Sequence, residues 1–211
     1  RFGPLPHGLD MVVSGNVPQG AGLSSSAALE VAVGKALQTA FGLDASLRDI
    51  ALLGQQAENE FVGCRCGIMD QFAVGMGKKD CAILLDCNTL SYRYSKLALD
   101  GCSIVITNTN KTHSLVTSAY NERRAQCESA LKALQKVKPI KALGELTNAE
   151  FDAIASAIPD PVERRRARHA VYENNRTLEA VKALEANDVK RFGELMNASH
   201  VSLRDDYEVT G

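Results

Sequence analysis

Leu9, Met11 and Val13 alternate with polar or smaller residues, a period of two that predicts a strand ending at Gly15. The pattern then changes. Gly15–Gly22 is a glycine-rich turn, after which Ser24 and Ser25 offer N-caps to an apolar, alanine-rich run from Ala27 to Phe41 that Gly42 stops. Because this run is apolar nearly all round, its helix is expected to be buried on most faces. A second helix is predicted where Ser46 and Asp49 make a capping-box pair. Leu47, Ile50, Leu53, Ala57 and Phe61 recur there at helical spacing until Gly63. Residues 64–77 are punctuated by glycine. Two strand-like runs follow, Cys81–Asp86 and Cys102–Thr107, and Leu90–Leu97 alternates well enough between them to be a third strand.

Beyond residue 105 the chain turns helical. Ala119, Arg123, Cys127, Ala130, Leu131, Leu134 and Val137 trace one stripe. Thr147 and Glu150 box the start of a helix that runs through Phe151, Ile154 and Ile158 and is ended by Pro159. Pro161 suits the first turn of a long helix to about Ala186, and Asn187 can cap a last one through Val189, Phe192 and Leu195. The chain thus reads as α+β, in two parts: 1–105, mixed, and 106–211, mostly helical. No linker marks the boundary.

Composition narrows the function classes. The 211 residues are 45% hydrophobic and 23% charged, ordinary for a globular protein with a real core, and the net charge of −1 draws it to neither nucleic acid nor anionic lipid. Arg164, Arg165, Arg166 and Arg168 form the densest basic run, which reads as a solvated helix face. No apolar stretch approaches the roughly 20 residues of a membrane helix. The start, Arg1-Phe2-Gly3-Pro4, has neither an initiator Met nor the regions of a signal peptide. Cys64, Cys66, Cys81, Cys87, Cys102 and Cys127 lack both zinc spacing and disulfide-scaffold density, so they read as reduced thiols and point to the cytoplasm. His7, His113, His169 and His200 show no ligand spacing.

The strongest chemical signal is Pro18-Gln19-Gly20-Ala21-Gly22-Leu23-Ser24-Ser25-Ser26-Ala27, the stretch 18–27. Glycines let backbone N–H groups approach an anion without a Cβ in the way, and a helix N-terminus adds unpaired donors and the positive end of its dipole. Three serines add hydroxyls. The loop reads as a triphosphate cradle, against the plainer reading of a tight turn with a serine cap. Ala21-Gly22 stands where a P-loop needs Lys-Ser/Thr, and Ser25 stands where a dinucleotide or protein-kinase loop needs its third glycine.

This loop resembles the second motif of the GHMP kinases. Gly20–Val31, Cys66-Gly67-Ile68-Met69-Asp70-Gln71, Leu84-Leu85-Asp86-Cys87, Thr107-Asn108-Thr109-Asn110 and Tyr120–Glu128 are similar to the galactokinase branch, bacterial members above all. The resemblance runs over essentially the whole chain. It implies the GHMP kinase fold, two α+β domains with the active site between them, incomplete here at both ends. It implies transfer of the γ-phosphate of ATP to the C1 hydroxyl of α-D-galactose with Mg²⁺, by a protein expected to be monomeric.

On the matching positions, Gly20, Ala21, Gly22, Leu23, Ser24, Ser25 and Ser26 would bind ATP. Ser26 and Glu58 would serve the metal, Asp70 would act on the sugar hydroxyl, and Tyr120 would contact the sugar. Taken alone, Asp70 is a surface carboxylate or helix cap, Glu58 a solvated helix glutamate and Tyr120 a half-buried aromatic. The branch also carries a catalytic arginine and a Glu-His-x-Asp sugar clamp in its first motif, and a glycine-rich last motif. None of these is in the 211 residues, so the chain reads as an internal fragment, inactive alone. Related kinases of N-acetylgalactosamine or arabinose, and a non-catalytic galactose and ATP sensor, are the alternatives. Intact Ser26-Ala27 argues against the sensor.

Overall fold

Ser46 and Asp49 cap each other in both directions. The Ser46 hydroxyl accepts from the Asp49 backbone N–H at 3.1 Å while the Asp49 carboxylate accepts from the Ser46 backbone N–H at 3.0 Å. That reciprocal pair starts α2, Leu47–Ala57. The computed structural model describes residues 3–107 and 116–210; Arg1, Phe2, 108–115 and Gly211 lie outside the described residues, and with them the Asn108-Thr109-Asn110 stretch. The chain forms two compact units, one running to Tyr94 and resuming at Ser103, the other comprising Ser95–Cys102 and the chain from Ser118 onward.

The first unit packs three helices on one another: α1 (Ser25–Phe41), α2 and α3 (Met69–Met76). Its cores are Val31, Ala45 and Ile50 on one side and Ala51, Ile68 and Phe72 on the other. Strand β1 (Cys81–Leu85) pairs with β2 (Tyr92–Lys96), and the Asp86 carboxylate closes the connection by accepting the N–H groups of Asn88 and Thr89. Phe72 and Tyr92 meet edge to face at 5.1 Å, and the Tyr94 hydroxyl donates to the Met76 carbonyl at 2.7 Å, which ties β2 to α3.

Several sequence expectations change here. Residues 9–13 and 102–107 are not strands, because a strand needs a paired neighbour for its backbone groups and the only ladder among the described residues joins β1 to β2. Val12 and Val105 stay 98% and 82% exposed. Helix α1 does end at Gly42, in the left-handed conformation, but it buries only Ala27 and Val31 fully, and Leu29 is exposed. In α2 the inner face is Ile50, Ala51 and Gly54, with Leu47 and Phe61 outside. Glu58, one turn after Gly54, continues that inner face, and the helix then loosens into a π-turn over Glu58–Val62 before Gly63, which shifts its phase and leaves Phe61 outside.

The second unit is helical: α4 (Val116–Leu134), α5 (Asn148–Ile154), α6 (Pro161–Glu185) and α7 (Val189–Ser202), which continues in a π-turn over Leu203–Tyr207. Thr147 and Glu150 box α5, and Asp160 caps α6 ahead of Pro161. The cap of α7 is Asp188, whose carboxylate accepts the Arg191 N–H; Asn187 is instead a left-handed hinge residue at φ 55°. Ala130 and Leu134 reach the core with Ile140, Phe151, Ile158, Ala167 and Val171, while Val137 stays outside.

The arginine run is only partly a solvated face, with the Arg165 and Arg168 side chains still 41% and 47% exposed. Helical phase turns Arg166 inward, 1% exposed, where it donates to Gln126, the Asp206 carbonyl and Glu208. Arg165 pairs with Glu208, Arg168 with Asp206, and Arg164 donates to the Ile158 carbonyl. A guanidinium with five donors satisfies carbonyls and carboxylates at once, and this set clamps the end of the chain onto α6.

Beside that clamp His169 is buried, its Nδ1 2.9 Å from the Ser202 hydroxyl and its ring stacked on Tyr207. Burial holds its pKa down to about 4, with Arg176 and Arg166 pushing the same way against Asp206. Between about pH 6.5, where an unfolded histidine titrates, and pH 4, the unfolded chain binds the extra proton. Stability should therefore fall as pH drops through that window. In a protein carrying this unit, melting temperature from pH 7 to pH 4.5 should decline less steeply for His169→Asn than for the parent. Parallel declines would mean His169 contributes nothing to it.

Candidate active site

The glycine–serine loop enters α1 through three left-handed residues, Gly20 (φ 69°), Gly22 (φ 71°) and Ser24 (φ 56°). Glycine reaches this region without strain, and an added Cβ at either glycine would meet open space, so conformation and not crowding requires them. Ser24 is the N-cap by position, yet its side chain makes no cap hydrogen bond; only its carbonyl enters the helix, accepting the Ala28 N–H at 2.9 Å. The expected serine cap is therefore absent. The first-turn amides of α1 keep their donors uncapped by Ser24, beside a largely exposed loop in which Ser26 is exposed. A non-glycine residue held left-handed is backbone strain of the kind found at ligand-binding loops.

One turn beyond Ser26 on the same face of α1 stands Glu30. Its Oε2 accepts from the Nε2 of Gln71 at 3.0 Å. Burial raises the Glu30 pKa; the Gln71 hydrogen bond opposes the rise and the neighbouring Glu58 carboxylate adds to it. Glu58 itself is 8% exposed, so the reading of a solvated helix glutamate fails. Asp70 lies in the first turn of α3, partly exposed, directly before Gln71; Ile68 holds the cap position, so Asp70 is not a helix cap. The stretch leading to it is anchored by the Gln55 amide, which donates to the Cys66 carbonyl at 3.2 Å.

The same corner is electronegative. Burial pushes the Cys66 thiol up to about 11, with Cys64, Glu58, Glu30 and Asp70 adding to the rise, and Cys64 is raised by burial and by Glu58. Both stay protonated at neutral pH, poor as nucleophiles and as metal thiolates. All six cysteines are free. Among the described residues no group of three or more His, Cys, Asp and Glu side chains could hold a metal by itself, and no helix is long and apolar enough to cross a membrane. Tyr120 belongs to the other unit, on α4, and is 42% exposed.

Residues 1–78 match the GHMP kinases N terminal domain. A galactokinase of Clostridium beijerinckii is 60% identical over 207 residues, 98% of this chain and 53% of that protein. One of Bacillus subtilis is 50% identical over 206 residues, again 98% and 53%. The crystal structure of Lactococcus lactis galactokinase complexed with galactose superposes with a TM-score of 0.90 at 52% identity, over 93% of this chain and 51% of that one. Residues 1–78 belong to the GHMP kinases. The chain spans about half the length of the curated relatives it matches.

Within this GHMP kinase domain, then, helices α1–α3 and the π-turn after α2 bring Glu58 together with Glu30 and Gln71, and place Asp70 beside that cluster. Ser26 is one helical turn from it, and Tyr120 belongs to the other unit. Glu30 and Gln71 were not singled out by the sequence reading. The spacing of Ser26 and Glu30, four residues apart on a predicted helix, was the available signal for the first. Nothing local marks Gln71, whose burial depends on α1 and α2 packing over it.

Proposed function

We propose that this chain is the phosphate-binding half of a galactokinase, which transfers the γ-phosphoryl group of ATP to the C1 hydroxyl of α-D-galactose to give galactose 1-phosphate. The observation that carries the reading is the loop at 20–26: left-handed glycines, a strained Ser24 and an uncapped helix N-terminus form an anion cradle without a P-loop lysine. Gly20, Ala21, Gly22, Leu23, Ser24, Ser25 and Ser26 would hold the phosphates. Asp70 would accept or orient the proton of the attacking hydroxyl, and Tyr120 would contact the sugar. A protein of this kind, with free thiols and no membrane helix among the described residues, fits the cytoplasm.

Mg²⁺ fits the donor set. Glu58 offers a buried carboxylate that an oxygen-seeking divalent cation would neutralise, and Ser26 offers a hydroxyl one turn before Glu30, whose own carboxylate is engaged by Gln71. Bound with ATP, the ion would offset phosphate charge. Ser26 and Glu58 would hold it.

The reading is tested on a completed enzyme, in which these 211 residues replace the matching segment of the Clostridium beijerinckii relative. ADP release is followed with galactose, N-acetylgalactosamine, arabinose or no sugar. Galactose-dependent turnover well above the other sugars is expected. Preference for another sugar would change the substrate, and sugar-independent release would overturn the kinase reading. In the same protein, Glu58→Ala should raise the Mg²⁺ needed for half-maximal rate by about tenfold or more while the galactose KM changes little. Superimposable Mg²⁺ titrations would return Glu58 to a packing role. Tyr120→Phe should weaken galactose by about 0.5–1.5 kcal/mol and leave ATP affinity alone. Equal losses for both ligands would point to misfolding.

A further inference from the structure

Gln71 is 2% exposed, and its Oε1 has no hydrogen-bond partner although its Nε2 is engaged by Glu30. An apolar side chain would fill this place without leaving an acceptor unmet, so packing alone does not account for an amide there. The contact is also made possible by a third element. A Cβ on Gly54 of α2 would lie 2.9 Å from Glu30 Oε2, 3.1 Å from Gln71 Cγ and 3.2 Å from Glu30 Cβ. Gly54 is thus the absent side chain that lets α1 and α3 join through their polar groups.

The two ends of this link lead to the two parts of the proposed chemistry. Gln71 follows Asp70 in the first turn of α3. Glu30 stands one turn from Ser26, where the phosphate loop enters α1. The geometry points to the Gln71–Glu30 hydrogen bond as the tie that fixes Asp70 against the phosphate loop, with Glu30 and Gln71 as positioning residues for the transfer. It rests on the proposed roles of Asp70 and the loop. Neither residue needs to touch a substrate. Their work is to keep the carboxylate that handles the hydroxyl in register with the phosphate it attacks, a register in which an error of about 1 Å can cost 10²-fold in rate.

The test exchanges donor and acceptor in the completed enzyme. Q71E sets two carboxylates against each other. E30Q/Q71E restores a complementary pair with its polarity reversed. Q71E should lower kcat by about 10–100-fold while both KM values stay within about threefold, and the double substitution should recover most of that loss. Melting temperatures are recorded in parallel. If Q71E is unfolded at the assay temperature, E30M replaces it, with the same expected fall in kcat at unchanged KM. A kcat within about threefold of the parent for the folded single variant, or a double variant no better than Q71E, overturns the tie. D70N runs alongside. If D70N is inactive while Q71E or E30M is not, the tie fails and the kinase reading stands; if D70N keeps parental turnover, the reading of Asp70 fails and the tie with it.

Discussion

The 211 residues expressed alone are expected to show no galactose-dependent ADP release. They contain no Glu-His-x-Asp sequence, and on the proposed galactokinase reading the sugar clamp, a catalytic arginine and a last glycine-rich motif would all have to come from outside them. Loss of a charge-stabilising arginine from phosphoryl transfer can cost about 10³–10⁵ in rate. Loss of sugar orientation removes the effective-molarity advantage as well. The loop and Asp70 would still be present, so the expected result is a protein that can meet nucleotide but has no positioned acceptor. Its surface carries a second expectation. Val12, Val13, Ile104, Val105 and Ile106 have strand-forming sequences, no strand partner among the described residues, and high exposure, and Phe61 is 92% exposed. Unpaired apolar segments of this kind associate. The isolated polypeptide should therefore aggregate on concentration, seen by light scattering. Galactose-dependent turnover from the soluble fraction would show that the absent motifs are dispensable.

What the sequence made legible is what local chemistry decides. Both capping boxes, Ser46 with Asp49 and Thr147 with Glu150, form as read, because each needs only four consecutive residues. The proline start of α6 and the glycine stop of α1 are equally local. The failures have long-range causes. Period-two alternation at 9–13 records a face that would suit a sheet, but a strand exists only with a neighbour, and alternation cannot supply one. The α2 stripe went wrong at Phe61 because a π-turn changes the phase after Ala57, which no 3.6-residue pattern anticipates. Arg166 went wrong because a run of like charges looks solvated, whereas its burial depends on Gln126, Asp206 and Glu208, tens of residues away.

The candidate site divides in the same way. The loop was legible because glycine spacing and a following helix are contiguous in sequence. Its most informative detail, Ser24 held left-handed and not capping, was not, since a serine before a helix ordinarily caps it. Glu58 was singled out through resemblance, and burial beside Glu30 now gives it a physical environment that suits a cation-binding carboxylate. Asp70 rests on resemblance and on its placement before Gln71 in the first turn of α3.

That makes Asp70 the point on which the account turns. In the completed enzyme, Asp70→Asn should lower kcat by about 10²–10⁴, the range for removing a positioned acid–base group. The amide keeps an oxygen for hydrogen bonding and nearly the same shape, so galactose should still bind. Helix α3 should be undisturbed, because Asp70 is neither its cap nor part of its core. The decisive measurement is therefore single-turnover galactose 1-phosphate formation by the parent and by Asp70→Asn, with galactose affinity determined on the same two proteins. Slow transfer at unchanged affinity is the predicted result; transfer at the parental rate would contradict the assignment of Asp70, and with it the proposed chemistry of this site.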